Sequence, residues 1–533
     1  MFRQHGAGFL NLREKHMFCK FITCLIGYVL LAQVFAGDPD SPGGNPSAQE
    51  THGADQTVSV PGNAKLLLGL KNVRKDFHQS DPDSVWPSIR GAPDCRAAVE
   101  WLPMKDEILQ EWHFKTDSNK TRRYRQELAV WASPALAVIN GIPMAFIGGA
   151  DQTLHALDLK NREQVWAKIS NAEITNAPAV GETEGGKIVF WASSDRTLYA
   201  NYAVTGEKFW TKELVPPSST LGAVQISSPL LFKDRLFISF FAYDKSLSRN
   251  SQKAWLMEIG ASDGATRWKT EISQGPVNSP NGIETNGKLL IFTVAKKGLL
   301  QCFDVTDGKP LKSWQFQMPH EVLGSPCVYK TDSGKTMVFL GSKYGNIIAI
   351  DAETGKELWQ RMAGNWIDNT VCAGKIGDVD AVIMGSYDYC VYSLNAVDGS
   401  LLWKTPVGGE VFSAPCLFNI DGKPAVLVSA LNNHMYLLDG SDGKIISSYF
   451  TGTPVWDKIA KGETLWGSPA IVEAGTETSA VYGSCSGTVY VLPLAKECSL
   501  SATARSSSGL WLSLLAIGFI FICIILPVTV KMK

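Results

Sequence analysis

Residues 341–359 read GSKYGNIIAIDAETGKELW, and this stretch decides the fold. It begins with a small-residue turn at Gly341-Ser342, continues as an apolar strand, turns again at Thr354-Gly355 and ends at Trp359. Together with Ser325-Pro326 and the apolar strand that follows that pair, the pattern returns eight times, at intervals of 44 to 54 residues. A repeat of this length with four strand-sized pieces predicts the blade of a β-propeller.

Three landmarks identify the copies. The first is a small residue followed by Pro, at Pro134, Pro178, Pro229, Pro280, Pro326, Pro415 and Pro469, with Thr370 in the sixth copy. The second is a hairpin turn whose Gly readily takes a positive φ, at Gly206, Gly264, Gly308, Gly355, Gly399 and Gly443. The third is a Trp, at Trp166, Trp210, Trp268, Trp314, Trp359 and Trp403, with Tyr449 in the seventh copy. We interpret the Trp residues as contacts between neighbouring blades.

The eighth copy supplies three strands and lacks the closing Trp. A segment near the other end of the chain, residues 107–116, contains Trp112 and resembles the closing strand at 399–405. Pairing this segment into the last blade would close the ring and remove an exposed sheet edge. The sequence therefore predicts an all-β fold, an eight-bladed propeller of four-stranded blades over residues 85–497, closed by an N-terminal strand.

The two ends of the chain predict the compartment. Residues 1–36 indicate a secretory signal peptide, with an apolar stretch from Phe21 to Phe35; the start at Met1 or Met17 stays open. Residues 37–84 are rich in Asp, Pro, Gly and Ser and predict a flexible leader. A linker at 498–509 precedes an uncharged stretch at 510–530, long enough for a transmembrane helix, and residues 531–533 form a basic tail. Because basic residues stay cytoplasmic, we expect a single-pass membrane protein with an extracytoplasmic propeller.

The net charge and the positions of the cysteines limit the partners and the disulfides that we expect. The formal net charge is −1 and basic and acidic residues alternate, so nucleic acid is excluded as an expected partner. Of 11 cysteines, three lie in the predicted signal and membrane segments. Cys95 and Cys498 flank the closing blade and are the favoured disulfide pair, since an oxidising compartment allows such bonds. Buried free thiols are expected at Cys302, Cys327 and Cys416.

Residues 341–359 resemble the repeat of pyrroloquinoline-quinone (PQQ) dehydrogenases, and Trp86–Gly91 resembles the lead-in before the first blade of bacterial PQQ-like repeat proteins. The resemblance covers about residues 85–497 and implies the propeller fold. The family includes quinoprotein enzymes and non-enzymatic members. Among the latter are the propeller lipoprotein of the outer-membrane barrel-assembly machine and the lumenal sensor domain of unfolded-protein-response kinases. We expect this chain to belong to the non-enzymatic branch and to resemble that lipoprotein.

The enzymatic alternative is a PQQ-dependent alcohol or sugar dehydrogenase. The resemblance implies for it an axial cofactor, a Ca²⁺ site of carboxylate and amide ligands, an Asp base and often a disulfide between adjacent cysteines. This chain has no adjacent Cys pair and no Cys-x-x-Cys-His. On the residues expected to line the axis, Asp368 is the one ionisable group, whereas Ca²⁺ binding and proton abstraction need several converging carboxylates and a base. We therefore expect no catalytic residue, no metal and no cofactor, with PQQ and calcium kept as the alternative.

The function favoured by the sequence is a membrane-tethered extracytoplasmic scaffold that binds a protein or peptide at the funnel face of the propeller. Loop aromatics on a rigid frame are favoured binding anchors. The candidate residues on this face are Trp131, Asn176, Asn278, Trp366, Asp368, Phe412, Trp456 and Trp466. Two alternatives stay open: the Trp residues cap an apolar channel, or a peptide adds a strand to a blade edge. A transmembrane sensor is disfavoured by the three-residue tail.

Overall fold

The structure is a computed structural model. It describes residues 98–100, 111–116, 130, 132–215, 221–244, 252–273, 278–307, 309–420, 422–432, 434–450, 468–474, 477–484 and 487–494. The strands in these ranges form eight separate sheets, one for each copy of the repeat. First strands of successive sheets contact one another, so they surround the axis and the last strands lie outside. The predicted all-β, eight-bladed propeller with four-stranded blades is confirmed.

The strands follow the chain from blade to blade. Two N-terminal strands, β1 (Ala98–Glu100) and β2 (Trp112–Lys115), precede the first blade. Blade 1 contains β3 (Ala135–Ile139), β4 (Ile142–Gly148), β5 (Thr153–Asp158) and β6 (Glu163–Ile169). Blade 2 contains β7 (Ala179–Thr183), β8 (Gly186–Ala192), β9 (Thr197–Tyr202) and β10 (Lys208–Glu213). Blade 3 contains β11 (Leu221–Ile226), β12 (Leu230–Phe232), β13 (Arg235–Asp244), β14 (Gln252–Gly260) and β15 (Thr266–Ser273). Blade 4 contains β16 (Asn281–Thr285), β17 (Lys288–Val294), β18 (Leu299–Asp304) and β19 (Leu311–Gln317).

The second half repeats the arrangement. Blade 5 contains β20 (Cys327–Lys330), β21 (Thr336–Gly341), β22 (Asn346–Asp351) and β23 (Glu357–Met362), with a short 3-10 turn at Lys343–Gly345. Blade 6 contains β24 (Cys372–Ile376), β25 (Val379–Gly385), β26 (Cys390–Asn395) and β27 (Leu401–Pro406). Blade 7 contains β28 (Cys416–Ile420), β29 (Lys423–Ala430), β30 (His434–Asp439) and β31 (Ile445–Phe450). Blade 8 contains β32 (Ala470–Ala474), β33 (Glu477–Gly483) and β34 (Thr488–Pro493).

The inner strand of blade 3 is split. Both β11 and β12 pair with β13, one on each side of Ser227-Ser228-Pro229. Proline has no N–H to donate to a ladder, so it interrupts the strand at this point. Blade 3 therefore has five strands by count, while its width remains that of a four-stranded blade.

The N-terminal strand closes the ring, as the sequence predicts. Strand β2 pairs antiparallel with β34, with Trp112 opposite Val491 and Lys115 opposite Thr488. Beyond the strand, the Thr116 hydroxyl donates to the Gly487 carbonyl at 3.0 Å. Strand β1 adds to the same sheet, parallel to β32. Blade 8 is thus completed from both ends of the chain.

The landmark Trp residues join neighbouring blades. At five interfaces the indole N–H donates to a backbone carbonyl of the next blade: Trp166 to Ala203 (3.0 Å), Trp210 to Ala261 (2.8 Å), Trp314 to Ala352 (2.9 Å), Trp359 to Ala396 (2.9 Å) and Trp403 to Gly440 (2.7 Å). We call these five the regular interfaces. At each of them the ring lies against the turn glycine of the next blade; a methyl group on Gly399 would come within 2.7 Å of the Trp359 ring.

The interface between blades 3 and 4 departs from this arrangement. The indole nitrogen of Trp268 is buried and has no hydrogen-bond partner among the residues that the structure describes. The carbonyl of Val305 instead accepts from the Arg235 guanidinium at 2.7 Å. Arg235 also forms two bonds with the Glu258 carboxylate, at 2.9 and 2.7 Å. The Arg235–Val305 hydrogen bond thus takes the place of the indole bond at this interface, and the ion pair with Glu258 holds Arg235 within blade 3.

A second set of bonds lies near the axis and explains the small residue before each Pro. Hydroxyls at this position accept a backbone N–H of the preceding blade, as Ser228 does from Ala177 at 3.1 Å and Ser279 from Ser228 at 3.0 Å. Between the last and first blades, Ser133 accepts from Ser468 at 2.7 Å. In the sixth copy the sequence alignment with Pro was wrong by one residue: the Thr370 hydroxyl accepts from Ser325 at 2.9 Å, so Thr370 takes the position of the small residue and Val371, directly before β24, takes that of Pro.

The remaining predictions for the chain ends lie outside the described residues. These are the signal peptide (1–36), the leader (37–84), the linker (498–509), the transmembrane segment (510–530), the tail (531–533) and the Cys95–Cys498 disulfide. No helix within the described ranges is long and apolar enough to cross a membrane. Five cysteines are described, namely Cys302, Cys327, Cys372, Cys390 and Cys416, and all are buried and form no disulfide. The expectation for Cys302, Cys327 and Cys416 is confirmed.

Candidate functional site

The loop between β23 and β24 carries two of the predicted site residues, Trp366 and Asp368. The backbone holds this loop to two blades. The N–H of Ile367 donates to the Ser342 carbonyl of blade 5 at 3.1 Å, and the Trp366 carbonyl accepts from the N–H of Tyr387 in blade 6 at 2.9 Å. The Ile367 side chain is fully buried. The loop is therefore fixed to the frame on both sides.

Three aromatic rings form a row across blades 5 to 7. Trp366 and Tyr387 stack with ring centroids 5.8 Å apart, and Tyr387 and Phe412 lie 5.7 Å apart. Exposure falls along the row, from 37% for Trp366 to 6% for Phe412. We call these three residues the aromatic row. Its outer end is open to a partner and its inner end belongs to the core.

Asp368 lies beneath the aromatic row. Its side chain is buried and hydrogen-bonds to the Tyr387 hydroxyl. The other oxygen, Oδ1, is also buried and has no hydrogen-bond partner in the described part of the chain. Burial raises the pKa of Asp368, and the Tyr387 hydrogen bond and the Lys343 charge oppose that rise only in part. Burial and the neighbouring Asp368 together raise the pKa of Tyr387, so its hydroxyl stays a donor at neutral pH.

Lysines surround the outer end of the row. The Lys343 ammonium lies 5.0 Å from the centroid of the Trp366 ring and 3.0 Å from a Glu321 carboxylate oxygen. Lys296 contributes a further positive charge that lowers the pKa of Asp368. A cation over an indole face is attracted by the ring quadrupole. Lys343 therefore helps to hold Trp366 in place.

The other predicted site residues lie elsewhere. The Asn176 amide donates to the Ile226 carbonyl, and the Asn278 amide donates to the Gly324 carbonyl at 2.8 Å. Each of these bonds joins one blade to the next near the axis, so the two asparagines are separate from the aromatic row. Trp131, Trp456 and Trp466 lie outside the described residues. The structure thus brings together Trp366, Asp368 and Phe412.

The described residues do not fit PQQ with Ca²⁺. No group of three or more His, Cys, Asp or Glu side chains in the described ranges is placed to hold a metal ion. The amides of Asn176 and Asn278 are engaged with backbone carbonyls, and the Asp368 carboxyl is engaged with Tyr387. Ca²⁺ requires six to eight oxygen ligands. No catalytic step is derived from this site.

Several residues of the site were missed by sequence reasoning. Tyr387 links all three predicted residues, and Lys343 covers Trp366, although neither was a candidate. Tyr344 and Tyr389 are exposed turn residues next to them, with exposed fractions of 63% and 50%. A usable signal was present, since both tyrosines fall in the turn between the second and third strands, where blades 1 and 2 carry Asp-Gln and Asp-Arg.

Comparisons with known proteins agree with the propeller fold. The sequence profile of the family described as outer membrane protein assembly factor BamB matches residues 240–381 and 345–496. BamB of Burkholderia pseudomallei is 23% identical over 259 residues, which cover 40% of this chain and 62% of that protein. A 1-butanol dehydrogenase (cytochrome c) of Thauera butanivorans is 27% identical over 123 residues, 22% of this chain and 18% of that enzyme. The chain thus spans less than two thirds of either relative.

Among solved structures, the quinohemoprotein alcohol dehydrogenase of Comamonas testosteroni matches with a TM-score of 0.52 at 12% identity. The match covers 79% of this chain and 82% of that one. A likeness at this identity shows the fold alone. The repeat, the eight blades and the profile match over residues 240–496 make this chain similar to the proteins of the PQQ-like β-propeller repeat family.

Proposed function

We propose that this protein is an extracytoplasmic scaffold, tethered to a membrane by residues 510–530, that binds a protein or peptide partner on the face formed by the aromatic row, without catalysis. One observation carries the proposal: Trp366 is a large exposed aromatic side chain in a loop that backbone hydrogen bonds fix to blades 5 and 6. Anchors of this kind lose little conformational entropy on binding, and they dominate the energetics of many interfaces.

The similarity to BamB supports this proposal at the level of the fold and the profile. That relative is described as an outer membrane protein assembly factor. For the present chain, the tether and the extracytoplasmic location rest on the terminal segments of the sequence. Digestion of intact and permeabilised cells with a protease would test the tether and the location. The propeller should be cut only in those preparations in which the protease reaches the extracytoplasmic side.

Site-specific photocrosslinking tests the partner. A photoreactive amino acid at position 366 of the full-length protein, in its native membrane, should give a discrete crosslinked adduct. The matched control position is Val165, which is 46% exposed on the outer strand β6 of blade 1. Adducts of the same size and yield at both positions, or none at 366, would overturn the proposal.

A quinoprotein oxidoreductase is the second candidate, favoured by the match to 1-butanol dehydrogenase. A thermal melt of the full-length protein with and without PQQ and Ca²⁺ separates the two. A ligand at 100 times its dissociation constant stabilises the folded state by about 2.7 kcal/mol. The scaffold proposal expects no saturable rise in melting temperature, and a saturable rise of several degrees would replace it with the enzymatic one.

A further inference from the structure

In the six blades whose turn before the third strand is described at this position, the turn contains a residue with positive φ. The described residues at this position are Gln152, Arg196, Gly298, Gly345, Tyr389 and Gly487, in blades 1, 2, 4, 5, 6 and 8. Glycine adopts this conformation freely, whereas a bulky side chain at positive φ is strained. Tyr389 has φ 68° and is half exposed, so the fold alone gives no reason for a tyrosine there.

Tyr344 shows the same conflict in the neighbouring blade. It lies immediately before Gly345, has φ 72° and is 63% exposed. Blades 1, 2 and 6 carry Asp at this position, and Asp151, Asp195 and Asp388 each accept a turn N–H. Tyr344 makes no such bond in the described structure, and its ring lies 4.6 Å from that of His320. Strain that persists at an exposed side chain points to a role outside folding.

The two tyrosines lie in turns that are hydrogen-bonded to the loop of Trp366. The turn that carries Tyr344 is bonded to that loop, because the N–H of Ile367 donates to the Ser342 carbonyl at 3.1 Å. The loop that carries Trp366 is bonded to the blade 6 turn, because Gly364 donates to Asp388 at 3.1 Å. Met362 is 67% exposed at the end of the strand that leads into this loop. We call Tyr344, Met362, Trp366 and Tyr389 the blade 5–6 patch.

The charges around the patch are unequal on its two sides. Lys343 pairs with Glu321 at 3.0 Å. Lys404 lies 3.5 Å from Asp388, so these four charges are neutralised locally. Lys296 and Lys297, in the blade 4 turn, form no ion pair within the described ranges; the Lys296 carbonyl accepts from Val322 in the loop beside the patch. Glu410 lies on the opposite side, where its charge raises the pKa of Tyr387.

We infer that the blade 5–6 patch binds an extended segment of a partner protein that carries aromatic or aliphatic anchors and, at its end over blade 4, acidic residues. This inference rests on the proposed function and names the partner chemistry. The aromatic side chains supply flat, rigid contact area for apolar anchors. Lys296 and Lys297 supply the charge complementarity for the acidic end, and Glu410 disfavours acidic residues at the other end.

A displayed dodecapeptide library, selected against the full-length protein in detergent, tests the inference. Enriched sequences should combine at least two Trp, Tyr, Phe or Leu residues with acidic residues at one end. The best synthetic peptide should bind the Tyr344→Gly/Tyr389→Gly variant at least about tenfold more weakly, since two anchors are removed. The melting temperature of that variant should not fall, because glycine relieves the positive φ.

The matched control is Gln152→Gly/Arg196→Gly, which makes the same backbone change on blades 1 and 2 and should leave peptide affinity unchanged. Lys296→Ser/Lys297→Ser should weaken binding and reduce its dependence on salt. Affinity that is unchanged in the tyrosine variant overturns the patch but leaves the proposed function standing if Trp366→Ser abolishes binding. If no peptide is enriched, or if only oligosaccharides bind, the inference and the proposed partner class both fail.

Discussion

The five regular interfaces and the interface between blades 3 and 4 carry the same Trp, but they differ in which donor reaches the facing carbonyl. The apolar part is the same in both. Phe339 lies 5.8 Å from Trp359 at a regular interface, and Phe237 lies 6.1 Å from Trp268 at the other. The polar part differs, because Arg235 donates to Val305 where a regular interface uses the indole. The packing of the Trp ring against a Phe is thus the same at both kinds of interface, whereas the donor of the hydrogen bond to the facing carbonyl differs.

The largest effect should come from deleting the ring. Trp359→Ala removes a buried side chain and its N–H bond, so we expect a loss of about 3–5 kcal/mol in the free energy of unfolding. Trp268→Ala should lose less, because its ring is only partly buried and its N–H has no bond to lose. Urea denaturation of the full-length variants measures both. Equal losses would mean that the two interfaces are energetically the same.

The glycine beneath the ring should come next. Gly399→Ala places a methyl group 2.7 Å from the Trp359 ring, at φ 71°, and we expect a loss of about 2–4 kcal/mol from overpacking and strain. Gly422→Ala is the control, because its φ is 73° and no atom lies within 4 Å of the added methyl. That variant should lose only about 1 kcal/mol, the cost of the backbone conformation. Similar losses in the two variants would show that the Trp359 ring moves to make room for the methyl group.

Substitutions in the Arg235–Glu258 ion pair test the interface between blades 3 and 4 directly. Arg235→Met leaves the buried Glu258 carboxylate without its partner, and we expect a loss of about 2–3 kcal/mol, since Arg235 is itself partly exposed. The double variant Arg235→Met/Glu258→Met should recover part of this loss. Thermal melts of the single and double variants decide the point. If the double variant were less stable than Arg235→Met, the Glu258 carboxylate would stabilise the fold through contacts other than its ion pair with Arg235.

The smallest effect should come from replacing Trp by Phe, which separates the contribution of the indole hydrogen bond from that of the ring packing. Trp359→Phe keeps a ring but leaves the Ala396 carbonyl without its donor, so it should cost about 1–2 kcal/mol more than Trp268→Phe. Chemical denaturation of the two variants under the same conditions measures this difference. A difference of zero would place all of the stabilisation in the packing of the rings.

Sequence reasoning identified the features that each blade repeats. The Pro, Gly and Trp landmarks gave the blade number, and residues 107–116 gave the closure, because these positions follow from local turn chemistry and from the period of the repeat. The Thr370 hydroxyl joins two blades as the Ser279 hydroxyl does, which identifies Thr370 as the small residue of the sixth copy and Val371 as the substitute for Pro. The additional strand β11 of blade 3 had no signal at Pro229, because six other blades carry Pro at the same position.

The candidate site was less accessible to prediction, because it depends on contacts between different blades. Asp368 was singled out by its place before an anchor and Trp366 as an aromatic residue in a loop, but Tyr387, which joins them, lies in another blade. The positive φ of Tyr389 is visible only when its turn is compared with Gly298 and Gly345. Arg235 meets the Val305 carbonyl across 70 residues of chain, and no local pattern indicates that contact.

The closure of blade 8 has a consequence for how the chain folds and lasts. The Thr116–Gly487 hydrogen bond joins residues 371 positions apart, so the N-terminal strand β2 can pair only after the strands of all eight blades have been synthesised. During that time β2 lacks its sheet partner, and contacts of such long range form slowly. Once formed, the same pairing acts as a latch, because fraying from either end must first separate β2 from β34. We therefore expect the closure of the ring to be a late step in folding.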